Sequence, residues 1–220
     1  VMAIDLPGSG GSDKLGKAEP SIVDFSEILL KALKLKGITN IDLYGKHAGT
    51  QVAIEMVLRR PDLIKHLILE GVMLFSKEKR TDLASNYAPA IKPQWDGSHL
   101  ISAWHMLRDQ AYFWPWYNRT QDAVYMSEAD AVPDLINQKI IEVLKDTKNY
   151  SHTCKAVFSH PTSEMLSKIT TRTLLCSRPD DYLHKYTQEA GNVLPGAITE
   201  SLPEKLEDIR LIFDRFLGTP

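Results

Sequence analysis

The chain has 220 residues, long enough for one sizeable core or a core with a small subdomain. Its net charge of −2 argues against a nucleic-acid footprint or a basic membrane-binding face. No apolar run approaches the roughly 20 residues needed to cross a bilayer, and no repeat or low-complexity tract interrupts the chain. The two cysteines, Cys154 and Cys176, lack CxxC spacing and read as buried thiols rather than a bridge or a metal site.

The apolar run Val1 to Asp5 predicts a buried strand, closed by the Gly/Ser-rich turn from Leu6 to Asp13. That turn lacks the G-x-G-x-x-G order of a phosphate-binding fingerprint. Ser21, with Asp24 three residues on, predicts a helix start. Ile22, Phe25, Ile28, Leu29, Ala32, Leu33 and Leu35 follow at helical spacing, and Gly37 ends the element. A strand is expected over Asn40 to Tyr44 and a helix over Thr50 to Arg60, stopped by Pro61. Leu67-Ile68-Leu69 marks another short buried strand. From Phe75 to Lys168 helical patterns dominate, with aromatic residues gathered from Tyr112 to Tyr117. These aromatics either pack as core or line a cleft for an apolar substrate. Alternation then returns: a strand over Thr171 to Cys176, a helix over Thr187 to Leu194, a strand over Ala197 to Leu202 and an amphipathic helix over Glu204 to Leu217. The pattern predicts a mostly parallel sheet flanked by helices.

Between the second strand and its helix stands Gly45-Lys46-His47-Ala48-Gly49. Small residues flank one central position in a strand-to-helix turn, the layout G-x-S-x-G of a nucleophile elbow, with histidine in place of serine. Around it are Asp5-Leu6-Pro7-Gly8-Ser9-Gly10-Gly11-Ser12 after a strand and Arg60-Pro61-Asp62-Leu63-Ile64 after the elbow helix. Further on come Leu175-Cys176-Ser177-Arg178-Pro179-Asp180-Asp181 on a late strand and Leu194-Pro195-Gly196-Ala197 before the last. In this order and spacing the chain resembles the α/β-hydrolase superfamily over nearly its whole length. The resemblance implies a discontinuous core, residues 1–74 and 169–220, with a helical cap over 75–168. It reads Val1 to Asp5 as the family's fourth strand, so that the first three strands are expected to be missing and the edge beside the elbow strand left open.

The same resemblance places the nucleophile position at His47 and the acid at Asp181, with Asp180 as the adjacent alternative. The family's histidine belongs after the last strand, where Leu202-Pro203-Glu204-Lys205 holds none. An acyl-enzyme route is therefore not expected, because no hydroxyl, thiol or carboxylate stands at the apex. A free imidazole titrates near pH 6.5, so the expectation is a His47–Asp181 dyad acting as general base, with the Ala48 N–H stabilising an oxyanion. In the helical region His99, Trp104, His105, Asp109 and Tyr112 are candidate substrate contacts. The competing reading makes His105–Asp109 a solvated i,i+4 pair. No metal and no cofactor is expected. The partners expected are a small hydrophobic carbonyl compound (an ester, a lactone or a cleavable C–C bond) and a second copy of the chain in a homodimer, in a cytoplasmic setting. The alternatives are proton-transfer chemistry without hydrolysis (lyase, isomerase or cofactor-free oxygenase) and a ligand-binding homologue without turnover.

Overall fold

A computed structural model describes residues 1–124 and 132–218. It contains two compact units, one formed by Val1–Ser21 and Glu78–Ser159, the other by Ile22–Lys77 and His160–Pro220.

The second unit carries the sheet. Its elements run α1 (Ile22–Leu35), β1 (Ile41–Lys46), α2 (Ala48–Arg59), β2 (Ile64–Glu70), then α7 (Thr162–Leu166), β3 (Thr173–Ser177), α8 (His184–Val193), β4 (Ile198–Ser201) and α9 (Leu206–Leu217). All strand pairs are parallel, in the order β1-β2-β3-β4. Side chains alternate across such strands. Ile68, Leu174 and Cys176 point to one face and pack with Leu202 and with Phe216 of α9. Leu67, Leu69 and Leu175 point the other way and are fully buried. These near-continuous apolar strands are what a parallel sheet covered on both faces requires. Gly37, at φ 68°, ends α1 as its position predicts. Strand β1 lies at one edge of the sheet.

The first unit is helical: α3 (Lys77–Asn86), α4 (Ser98–Asp109), a 3₁₀ turn (Gln121–Ala123), α5 (Pro133–Lys145) and α6 (Thr147–Ser159). Ala103, Met106 and Leu107 of α4 interlock with Ile136, Ile140 and Val143 of α5. The aromatic run joins a second cluster, in which Tyr87 meets Trp114 at a tilt and Phe158 edge-on while Trp116 donates its indole N–H to the Tyr87 carbonyl at 2.7 Å.

The strand expected over Val1 to Asp5 is not formed. A strand exists only where a neighbour completes its hydrogen-bond ladder, and among the described residues Val1 to Asp5 has none. Val1, Met2 and Ile4 are exposed. Asp5 instead closes a loop, accepting the Gly11 N–H at 3.0 Å on its carboxylate and the Ser12 hydroxyl at 2.8 Å on its carbonyl. Helix α4 ends at Asp109. Its N-cap position is Gly97, at φ 76°, while Asp96 accepts the Ser98 N–H at 3.0 Å.

Candidate active site

Strand β1 ends at Lys46 and helix α2 begins at Ala48, so His47 alone makes the connection. It does so at φ 48° and ψ −115°, the one non-glycine with positive φ among the described residues. Such a backbone costs on the order of 1–3 kcal/mol and persists only when its surroundings hold it. The holders are specific. The His47 N–H donates to the Glu70 carbonyl at 2.8 Å. Its own carbonyl accepts both the Thr50 N–H at 2.9 Å and the Thr50 hydroxyl at 2.6 Å. Gly45 lets the helix close on the strand, since a Cβ there would stand 2.4 Å from the Gly49 carbonyl oxygen. Gly49 carries no such constraint, because a Cβ on it would meet nothing within 4 Å.

The turn lifts the imidazole toward the loop that follows β3. His47 Nε2 lies 2.7 Å from Asp181 Oδ2. The other carboxylate oxygen, Oδ1, accepts the Leu183 N–H at 2.8 Å. Burial alone would raise the Asp181 carboxyl, but the hydrogen bond from His47, the Leu183 N–H and the charges of His47 and Lys46 outweigh it and hold the group below its ordinary value. Asp181 is therefore a carboxylate near neutral pH and can only accept, which assigns the proton of a neutral His47 to Nε2. The Nδ1 lone pair is then the basic position. Gly71, at φ 73°, makes room for the ring: a Cβ there would lie 2.4 Å from His47 Cδ2. Tyr182 meets the ring edge-on at 5.6 Å. Ala48 is the first residue of α2, where backbone N–H groups lack an intrahelical acceptor. Asp180 is exposed, and it is Asp181 that reaches the imidazole.

Two polar pairs carry no signal in the sequence. Ser177 Oγ lies 3.0 Å from His184 Nδ1, and the His184 N–H donates to the Asp181 carbonyl at 2.8 Å, so this pair braces the loop that presents the carboxylate. Behind the turn, Glu55 and His160 meet at 2.9 Å, both almost fully buried, and His160 also contacts Thr162 at 3.1 Å. Gln51, one helical turn beyond His47, donates to Thr162 Oγ1 at 3.3 Å.

The remaining candidates lie in the helical unit and do not share one face. His105 is exposed. Asp109 is buried and takes Arg108 and Arg119 as partners instead of His105, so the i,i+4 contact is not made. Trp104 is a half-buried neighbour of the α4–α5 core, and Tyr112 is half-buried beyond the end of α4. His99 accepts the Gln94 N–H on Nδ1 at 3.1 Å and lines a cavity of about 350 Å³ floored by Ala103, Met106 and Trp116. Among the described residues no three histidine, cysteine or carboxylate side chains converge as metal ligands. No helix of the described residues is long and apolar enough to cross a membrane.

A parallel sheet with a strained strand-to-helix turn after β1 and a carboxylate loop after β3 is the frame of an α/β hydrolase. The chain matches the α/β hydrolase fold family over residues 1–112 and belongs to it. Two curated plant proteins are similar over 108 residues at 31% identity. One is a probable 1-acylglycerol-3-phosphate O-acyltransferase of Oryza sativa subsp. japonica (47% of this chain, 26% of the relative). The other is a 1-acylglycerol-3-phosphate O-acyltransferase of Arabidopsis thaliana (47% and 25%). The chain thus matches about a quarter of the length of these relatives. Among solved structures, it is similar to a hydrolase from Pseudomonas aeruginosa (TM-score 0.71, 16% identity, 97% of this chain and 78% of that one). It is also similar to a thermophilic esterase from Thermogutta terrifontis (0.70, 16%, 97% and 78%). The enol-lactonase from Burkholderia xenovorans gives 0.67 at 18% identity, over 98% and 78%. At these identities the likeness is one of fold.

Proposed function

We propose that this chain hydrolyses a small, rather hydrophobic carbonyl compound (an ester, a lactone or a ketone with a cleavable C–C bond) with His47 as general base and Asp181 as its orienting partner. The observation that carries the reading is the 2.7 Å contact between Asp181 and an imidazole at the apex of a strained turn. With Nε2–H committed to Asp181, Nδ1 takes a proton from water as the oxygen attacks the carbonyl carbon. The Ala48 N–H supports the oxyanion, and as the tetrahedral species collapses, the leaving oxygen or carbon receives that proton back from Nδ1. No covalent enzyme intermediate forms. General base catalysis of this kind is worth typically 10²–10⁴-fold.

A second reading keeps the same base and drops the water: Nδ1 removes a proton directly from the substrate, as in a lyase, an isomerase or a cofactor-free oxygenase. The absence of any covalent nucleophile at residue 47 supports it equally. The similarity to two acyltransferases adds a variant of the first reading, with an alcohol in place of water as acceptor. The third reading, ligand binding without turnover, makes the His47–Asp181 contact a recognition element. Two free cysteines suit a reducing, cytoplasmic setting.

The test is a screen of aryl esters, lactones and β-diketones against the full chain, repeated with His47→Ala. Turnover that disappears in the variant supports the base. Turnover that survives unchanged removes His47 from the mechanism, and tight binding with no turnover selects the third reading.

A further inference from the structure

Asp109, the last residue of α4, is a buried carboxylate with a side chain only 3% exposed, and it holds two arginines. Arg108 donates from Nε at 2.9 Å and from Nη2 at 2.5 Å to Oδ1. Arg119, in the turn before the 3₁₀ element, donates from Nε and from Nη2, each at 2.8 Å, to Oδ2. One cation is enough to compensate one buried carboxylate. The second leaves a local excess of one positive charge. Both guanidinium groups also reach the surface, Arg108 with 41% and Arg119 with 59% of the side chain exposed.

A surface arginine normally gives up considerable side-chain freedom when it binds an anion. Here that ordering is already done, because the buried carboxylate fixes both planes. Each group spends one edge on Asp109, and the Nη1 amino groups have no partner among the described residues. Asp122, three residues beyond Arg119, forms no ion pair with either guanidinium among the described residues.

We propose that Arg108 and Arg119, mounted on Asp109, form a binding site for the phosphate group of a phosphomonoester. A planar carboxylate is satisfied by one bidentate fork. A phosphate carries about −1.5 to −2 charges and three equivalent oxygens, and so has acceptors enough for the remaining N–H groups of both arginines. The pairing is charge-assisted and geometric, which is why a lysine is not an equal substitute. Everything in it belongs to the helical unit, and it requires no turnover at His47.

The experiment is a titration of the full chain at low ionic strength with phenyl phosphate, followed by ³¹P NMR and calorimetry, with benzoate as the carboxylate control and sodium chloride matched for ionic strength. Expected is saturable binding of phenyl phosphate at least about tenfold tighter than of benzoate, weakened about tenfold or more by Arg119→Gln and not restored by Arg119→Lys. Arg119 is surface-exposed, so circular dichroism of these variants should match the parent. No saturable binding by the parent chain, equal affinity for benzoate, or unchanged affinity in Arg119→Gln would each overturn the site. Because binding is read without catalysis, this outcome is separate from that of the hydrolysis screen.

Discussion

Asp181→Asn tests the dyad without removing its shape. In the parent, Oδ1 accepts the Leu183 N–H at 2.8 Å and Oδ2 accepts from His47 Nε2 at 2.7 Å. An asparagine has one oxygen and one amide nitrogen, and only the oxygen can serve Leu183. The NH₂ is therefore turned toward His47, where it must donate. Nε2 becomes an acceptor, the imidazole proton moves to Nδ1, and the basic lone pair is lost from the position that faces away from residue 181. The same exchange of tautomer in a serine-protease triad lowers kcat by roughly 10⁴, and a loss of 10³–10⁴ is expected here. Stability should fall by only about 1.5–3 kcal/mol, the worth of a hydrogen bond to a charged group. Two assays read this: kcat/KM on any substrate found in the screen, and long-range ¹H–¹⁵N spectra that report which ring nitrogen of His47 is protonated. If the spectra show Nε2–H retained in the variant, or if activity is unchanged, the assignment of Nδ1 as base is wrong.

Gly45→Ala should destabilise by about 1–3 kcal/mol or more, because the new methyl meets a backbone oxygen that cannot step aside, whereas Gly49→Ala should stabilise by up to about 1 kcal/mol; urea unfolding of the pair measures both. Acid should unfold the chain through carboxylates held low in the native state. In Asp181 burial works the other way and is outweighed by His47, the Leu183 N–H and Lys46, while in Glu55 the hydrogen bond from His160 leads, with Arg59 adding to it against burial. A group depressed on folding contributes stability that is fully present above its unfolded value, 3.8 for Asp181 and 4.5 for Glu55, and is lost as pH falls through its lower native value. Urea midpoints should therefore be flat above about pH 5 and fall below it, less steeply in Glu55→Gln. His160→Ala removes one of two partners of a buried carboxylate that keeps Arg59, and should cost roughly 1–3 kcal/mol, read as a drop in the thermal midpoint; a shift of under one degree would show that Glu55 is satisfied without it.

How far the sequence reaches is set by whether a signal is local. The helical repeat from Ile22 to Leu35 and the apolar triplet Leu67-Ile68-Leu69 are local patterns, and their elements stand where the spacing predicts. The meeting of His47 with Asp181 is not local, yet it is legible because chain order in this family places the acid after the penultimate strand. The Glu55–His160 contact spans 105 positions and has no motif. Nothing in either segment announces the other. Val1 to Asp5 misleads because an apolar run states that burial is favourable without supplying the neighbour that would provide it. Asp109 misleads in another way: a helical wheel pairs it with His105, but its second arginine lies beyond the helix end, outside any periodicity.

The substitution at the turn apex separates two things that a nucleophile elbow usually joins. The positive φ of His47 is enforced by Glu70 and Thr50, through hydrogen bonds to its backbone, and by the close approach at Gly45. The backbone thus holds the same geometry whatever side chain it carries, and the strain belongs to the Cβ, not to the ring. This gives a comparison in which chemistry is removed twice and strain only once. His47→Ala and His47→Gly both delete the contact with Asp181, but only glycine relaxes φ 48°. Relief of about 1–3 kcal/mol, less the roughly 0.5–1 kcal/mol of chain entropy that glycine costs relative to alanine, leaves the glycine variant about 1 kcal/mol more stable than the alanine one in urea. If alanine proves equal or better, the turn is not strained in solution.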